Sequence, residues 1–168
     1  HGGFVEELQV EAKYLLDHWD ELVQIGPVRT LHLVKTTPER LLEIAQHPGF
    51  QRITGLRARR CSLDDDTLHA ILDAADLSRL AMLDLADNYL SDTTTGYLEM
   101  LHLPALKQLI LTDNRLSADE FSSLLRRFGD IVQNEKGEPA WVWMDDLDRD
   151  RDPQVTGESY DDEALYQN

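Results

Sequence analysis

The chain has 168 residues, 42% of them hydrophobic and 29% charged, which is the composition of one water-soluble folded domain and excludes a wholly disordered chain. Acidic residues outnumber basic ones 32 to 16, and the resulting net charge of −16 makes nucleic acid and anionic membrane surfaces poor general partners. Cys61 is the single cysteine, so an internal disulfide is excluded, and the absence of any apolar run of roughly 18 to 20 residues points to a cytoplasmic chain that does not span a membrane. The start at His1 instead of Met is that expected of one part of a longer protein.

In chain order, Val5, Leu8 and Val10 open a pattern that returns as Val28, Leu31 and Leu33, and again as Ile53, Leu56, Ala58, Cys61 and Leu63. It is complete in Leu80-x-x-Leu83-x-Leu85-x-x-Asn88-x-Leu90 and in Leu106-x-x-Leu109-x-Leu111-x-x-Asn114-x-Leu116. The starts near 5, 28, 53, 80 and 106 lie 23, 25, 27 and 26 residues apart. The period-two spacing within each copy turns its apolar side chains to one side of a strand. Between the copies the spacing becomes helical: Leu15, Trp19 and Leu22; Leu68, Ile71 and Leu72; Leu98 and Leu101; Phe121, Leu124 and Leu125. Thr37-Pro38 and Ser117-x-x-Glu120 mark helix starts, and 12–25 reads as one helix. Parallel strands are therefore predicted at 7–10, 30–33, 55–58, 82–85 and 108–111, each followed by a helix. A unit with one apolar side must stack on its neighbours to bury it. After Asp130 the pattern stops. Ile131-Val132 and Trp141-Val142-Trp143-Met144 flank a polar turn and read as capping strands within 131–144, whereas 145–168 is a separate acidic tail with nine acidic residues and two arginines.

The two complete copies resemble the ribonuclease-inhibitor-like class of leucine-rich repeats. The chain also looks like the repeat regions of bacterial proteins that join such repeats to a repeat-companion domain, on the strength of Gly3-Phe4-Val5-Glu6-Glu7, Pro27-Val28-Arg29-x-Leu31-x-Leu33 and Leu125-Arg126-Arg127-Phe128-Gly129-Asp130. The resemblance implies an α/β solenoid over residues 1–144, with a parallel concave sheet and convex helices. It also implies a binding scaffold in a larger bacterial protein, with a protein as partner.

Nothing in the sequence points to catalysis or to a cofactor. Cys61 falls in the turn after a strand, where a small buried group is wanted. The six histidines show no metal-site spacing, and the run Asp146-x-Asp148-x-Asp150-x-Asp152 lacks the glycine and the glutamate of a calcium loop. Phosphate-cradle and nucleophile-elbow motifs are missing. Asn88 and Asn114 are expected to satisfy buried backbone groups where a strand turns away. The side chains between the leucines line the other face of the sheet, and His32, Arg57, Arg59, Arg60, Asp84 and Ile110 are the expected protein-binding residues. Arg57, Arg59 and Arg60, with Lys35 beside them, make a basic patch suited to a partner's carboxylates. Alternatively they pair with Glu7, Asp84 or Asp87 on neighbouring strands, and the chain is then a spacer that positions another domain.

Overall fold

The computed structural model describes residues 6–133 and Gly137, except for the side chains of Val23 and Ile25. The expected strand at 141–144, the terminal hairpin it would form, the aspartate run and the acidic stretch 145–168 lie outside the described residues, as do residues 1–5.

Among the described residues six strands pair in parallel, and their order across the sheet is their order in the chain. They are β1 (Glu7–Glu11), β2 (Thr30–Val34), β3 (Gly55–Arg57), β4 (Met82–Asp84), β5 (Gln108–Ile110) and β6 (Val132–Gln133). Leu8, Leu31, Leu56, Leu83, Leu109 and Val132 are successive register partners, so the frame read from leucine spacing is the frame of the sheet. β6 falls on the Ile131-Val132 segment read as a capping strand, but it joins the five as a sixth parallel strand, and Val132 is completely buried. The strands end earlier than predicted in β3, β4 and β5, and one residue later in β1 and β2.

Parallel strands need a crossover, and here each crossover is helical. The helices are α1 (Ala12–Asp17), α2 (Trp19–Ile25), α3 (Pro38–Gln46), α4 (Asp65–Ala74), α5 (Asp92–Met100) and α6 (Ala118–Phe128). α1 packs on α3, α3 on α4, α4 on α5 and α5 on α6, a row that covers one face of the sheet. Their apolar stripes, among them Leu41, Ile44, Leu68, Ile71, Leu98 and Leu124, share one core with the inward leucines of the strands. The single helix expected over 12–25 is in fact two. His18 breaks it, with Nδ1 3.1 Å from Tyr14 O and its ring stacked on Tyr14, a local contact that competes with helix continuation. Trp19 then lies buried against His47 and Gly49, where a Cβ on Gly49 would stand 1.9 Å from the indole nitrogen.

Each helix start repeats a device. Thr37, Asp64, Ser91 and Ser117 are N-caps that accept from backbone amides in the first turn. The full reciprocal box lies at Asp64 and Thr67, while at Ser117 the amide of Glu120 supplies one half. Neighbouring caps are tied together, because Asp65 accepts from Ser91 N, Ser91 Oγ and Thr94 Oγ1, and Asp92 accepts from Ser117 N at 2.7 Å.

Where the strands leave the sheet, a second ladder forms. Lys35, Arg60, Asp87 and Asp113 hold left-handed φ values of 47°, 55°, 56° and 56°, each two residues after an inward side chain, and so turn the chain at the same place in four units. Asn88 follows one such turn. Its Oδ1 accepts from Cys61 N (3.0 Å) and Leu63 N (3.1 Å), and its Nδ2 donates to Ala58 O, Leu85 O and Ala86 O. Asn114 repeats the pattern one unit on, accepting from Leu90 N and donating to Leu85 O, Leu111 O and Thr112 O.

Replacing Asn88 with Ala takes the side-chain partner from Cys61 N, Leu63 N and Ala58 O, whereas Leu85 O keeps Asn114 and Ala86 O keeps the Arg60 amide, and each unpaired group costs about 1–3 kcal/mol. Asn88→Ala is expected to lower unfolding stability by about 3 kcal/mol or more in urea titration, and half-buried Asn114→Ala by less because water reaches the site. Equal, sub-kilocalorie losses would show that the amides carry no such role. At Asp113 the left-handed φ predicts that Gly is tolerated, whereas Val loses about 1–3 kcal/mol by the same titration.

Candidate functional site

The sheet has one face buried under helices and one turned away from them. On the outer face a single register row runs Gln9, His32, Arg57, Asp84, Ile110 and Gln133. The expected residues His32, Arg57, Asp84 and Ile110 thus stand side by side, one per strand. Arg59 follows two residues after Arg57 and reaches the same region, lying within 3.7 Å of Asp84. Arg60 does not belong to the row. Its left-handed φ sends it into the turn after β3, where its side chain is 81% exposed.

The basic residues are matched one for one by carboxylates. Arg57 Nη1 reaches over β2 to Glu7 Oε1 at 3.0 Å, and Lys35 pairs with Glu11 between β1 and the turn after β2. Arg59 lies between Asp84 and Asp87, 3.7 and 3.9 Å away, and Arg60 Nε donates to Asp87 Oδ2 at 3.2 Å. Of the two outcomes open to the sequence, cross-strand pairing is the one observed for these side chains. The exposed pairs made by Arg57, Lys35 and Arg60 contribute about 0–1 kcal/mol each and remain exchangeable for a partner's charges, whereas Asp84 in the Arg59 pair is buried.

Two expected contact residues are not available as surface. Asp84 is 3% exposed and Ile110 4% exposed. Burial pushes the Asp84 carboxyl above the ordinary carboxylate range, against the opposing pull of the Ala86 amide, Arg59, Arg57 and His32. Ile110 is buried outside the main apolar core, as its place on the outer face requires. The residues left to meet a partner are Gln9, His32, Arg57 and Arg59, at least partly exposed. Beside them a depression of about 430 Å³ opens at the C-terminal ends of β1 and β2, lined by Gln9, His32, Lys35, Arg59, Arg60 and Asp87. Sequence reasoning missed this hollow, since it depends on the turns after β2, β3 and β4 standing side by side.

Cys61 is buried, its thiol is pushed up to about 11 by desolvation, and Sγ donates to Arg59 O at 3.3 Å. A thiol so held is a packing group. Among the described residues, no group of three or more His, Cys, Asp and Glu side chains is placed to hold a metal ion. Neither a family model nor a curated protein matches the chain.

Two buried or half-buried carboxylates predict opposite responses to pH. Burial pushes the Asp65 carboxyl up, but hydrogen bonds from Ser91 and Thr94 and the nearby His69 outweigh it and hold the pKa below the ordinary range. The stability it supplies is present above the unfolded-state pKa and lost as pH falls through the folded one. For Asp84 the folded pKa is the higher one, so its favourable contribution belongs to low pH and is lost as pH rises through that value. Thermal melts between about pH 3 and pH 8 should therefore show the deficit of Asp65→Asn shrinking with acidification. The wild type should gain on Asp84→Asn over the same range, and parallel curves for the two variants would contradict both assignments.

Proposed function

We propose that the chain is a leucine-rich-repeat solenoid of the ribonuclease-inhibitor-like class, and that its outer, concave sheet face binds a protein partner as a module of a larger bacterial protein. The repeat reading is supported by the match between leucine spacing and strand register, by a helix after each of the first five strands, and by the asparagines that follow β4 and β5. The binding reading is carried by one observation: among the described residues the helices take one face of the sheet, and the other presents a row of polar and charged side chains on adjacent strands. The partner is a protein and not a nucleic acid, because a net charge of −16 repels a phosphate backbone. Among the described residues no helix is long and apolar enough to cross a membrane, which fits a cytoplasmic setting. The role is recognition, without catalysis and without a cofactor.

A spacer without a ligand of its own is the second reading, and the internal pairing of Arg57, Arg59, Arg60 and Lys35 favours it. Removing Arg59 takes a cation from buried Asp84, so alanine there is expected to cost stability as well as binding. The clean variant is Arg57→Ala, with the pair Arg57→Ala/Arg59→Ala beside it and circular dichroism to verify folding. For a partner retrieved by the wild-type chain, calorimetry is expected to show the double variant weakened by about 2 kcal/mol or more, roughly thirtyfold in Kd. Arg126→Ala, on the helical side, is expected to bind normally. Unchanged affinity in folded Arg57→Ala and double variants would leave the spacer reading standing.

A further inference from the structure

Away from the outer-face row, a depression of about 370 Å³ opens at the N-terminal ends of the strands, between the loops that lead into β2, β3 and β4. Arg29, Arg52 and Arg79 line it with Thr54, and among the described residues its wall holds no carboxylate. Comparison with the rest of the surface gives this weight. The hollow beside Lys35, Arg59 and Arg60 contains Asp87, and the one beside Arg60 and Tyr89 contains Asp87 and Asp113. In a chain with twice as many acids as bases, three guanidiniums around a carboxylate-free hollow are a concentration that charge balance does not require.

The backbone ladder is what gathers them. Arg29 immediately precedes β2, and its carbonyl accepts from Thr54 N at 2.7 Å and Gly55 N at 3.0 Å. Thr54 O in turn accepts from Ala81 N at 2.7 Å. Arg52 and Arg79 each lie two residues before these rungs, at Thr54 and Ala81, in the loops that lead into the neighbouring strands β3 and β4. All three side chains belong to exposed residues. Among the described residues no carboxylate forms an ion pair with Arg29 or Arg52, and Arg79 has only the longer-range charge of Asp76, whose Oδ1 already accepts from Ser78 N.

We infer that this hollow is a binding site for a phosphomonoester. Guanidinium groups stay protonated and present forked donors that match tetrahedral oxyanions. Three of them supply a charge of +3, which a phosphomonoester of about −1.5 to −2 with three acceptor oxygens answers better than a single carboxylate does. The volume falls within the roughly 300–1,000 Å³ of small-ligand pockets, so the site takes the phosphoryl group and a small part of what carries it. The carrier is either a small phosphorylated metabolite or a phosphorylated side chain. The inference uses no residue of the outer face, and either reading stands if the other fails.

The test is isothermal titration of the full chain at fixed, low ionic strength with glycerol 2-phosphate, acetate, and a phosphoserine peptide beside its unphosphorylated form. Glycerol 2-phosphate is expected to bind at least about tenfold more tightly than acetate. Arg29→Gln/Arg52→Gln is expected to lose about tenfold or more of that affinity, with an unchanged circular dichroism spectrum and melt because these side chains support no described contact. Arg126→Gln on α6 is expected to bind as wild type. A phosphoserine peptide that binds more tightly than glycerol 2-phosphate assigns the group to a protein, and one that binds less tightly assigns it to a small metabolite. No heat with glycerol 2-phosphate, equal affinity for acetate, or equal losses in the Arg29/Arg52 and Arg126 variants overturns the site.

Discussion

The Asn88 amide lies in the turn after β4 with 4% of its surface exposed, and it holds backbone groups of two consecutive units at once. A strand that leaves a parallel sheet exposes amides and carbonyls just where the chain is too deep for water to reach them, and each one left bare would cost more than a typical hydrogen bond contributes. A primary amide is the side chain that meets this need, because it both donates and accepts in one plane. Serial placement of Asn88 and Asn114 makes the turn of one unit the partner of the turn before it, as the contacts Asn88 to Leu63 and Asn114 to Leu90 record. Everything above the turns, including the register of the outer row, depends on this spacing being kept.

A second ladder works at the helix starts. Asp65 takes the amide of Ser91 and Asp92 that of Ser117, so a residue beside the cap of one helix satisfies the cap of the next. The sheet is thereby bracketed, with side-chain hydrogen bonds joining adjacent units at the strand exits and again at the helix entries. Apolar burial supplies the larger share of the driving force, at about 1.5–3 kcal/mol for each leucine side chain removed from water. It is non-directional, however, and the polar ladders are what select one stacking distance and one register among the arrangements that burial alone would accept.

The charged face follows from that register. Arg57 and Glu7 are fifty residues apart in the chain, and they meet because β1 and β3 both flank β2. The same geometry brings Asp84 beneath Arg59 and seals it from solvent, which makes it part of the support of the face and not of its contact surface. The N-terminal edge differs: the rungs there carry Arg29, Arg52 and Arg79 without a matching set of acids among the described residues. One sheet thus presents a self-neutralised row and, around its edge, a cluster with positive charge to spare.

Leucine spacing by itself determined the strands of β1 to β5, their register and the face on which each side chain lies, because alternation along a strand is a local property of the backbone. The asparagines were legible for the same reason, since a buried turn restricts the choice of side chain. What remained hidden were features set by neighbours far along the chain. The break at His18 came from a stacked ring competing with the helix, and the strand read at Ile131-Val132 joined β5 in parallel, a pairing that local periodicity did not advertise. The burial of Asp84 and Ile110, the pairing of the arginines and the gathering of Arg29, Arg52 and Arg79 were decided only in the tertiary structure. Each depends on how far side chains from separate units reach once the sheet has fixed their spacing, and no single stretch of sequence contains that distance.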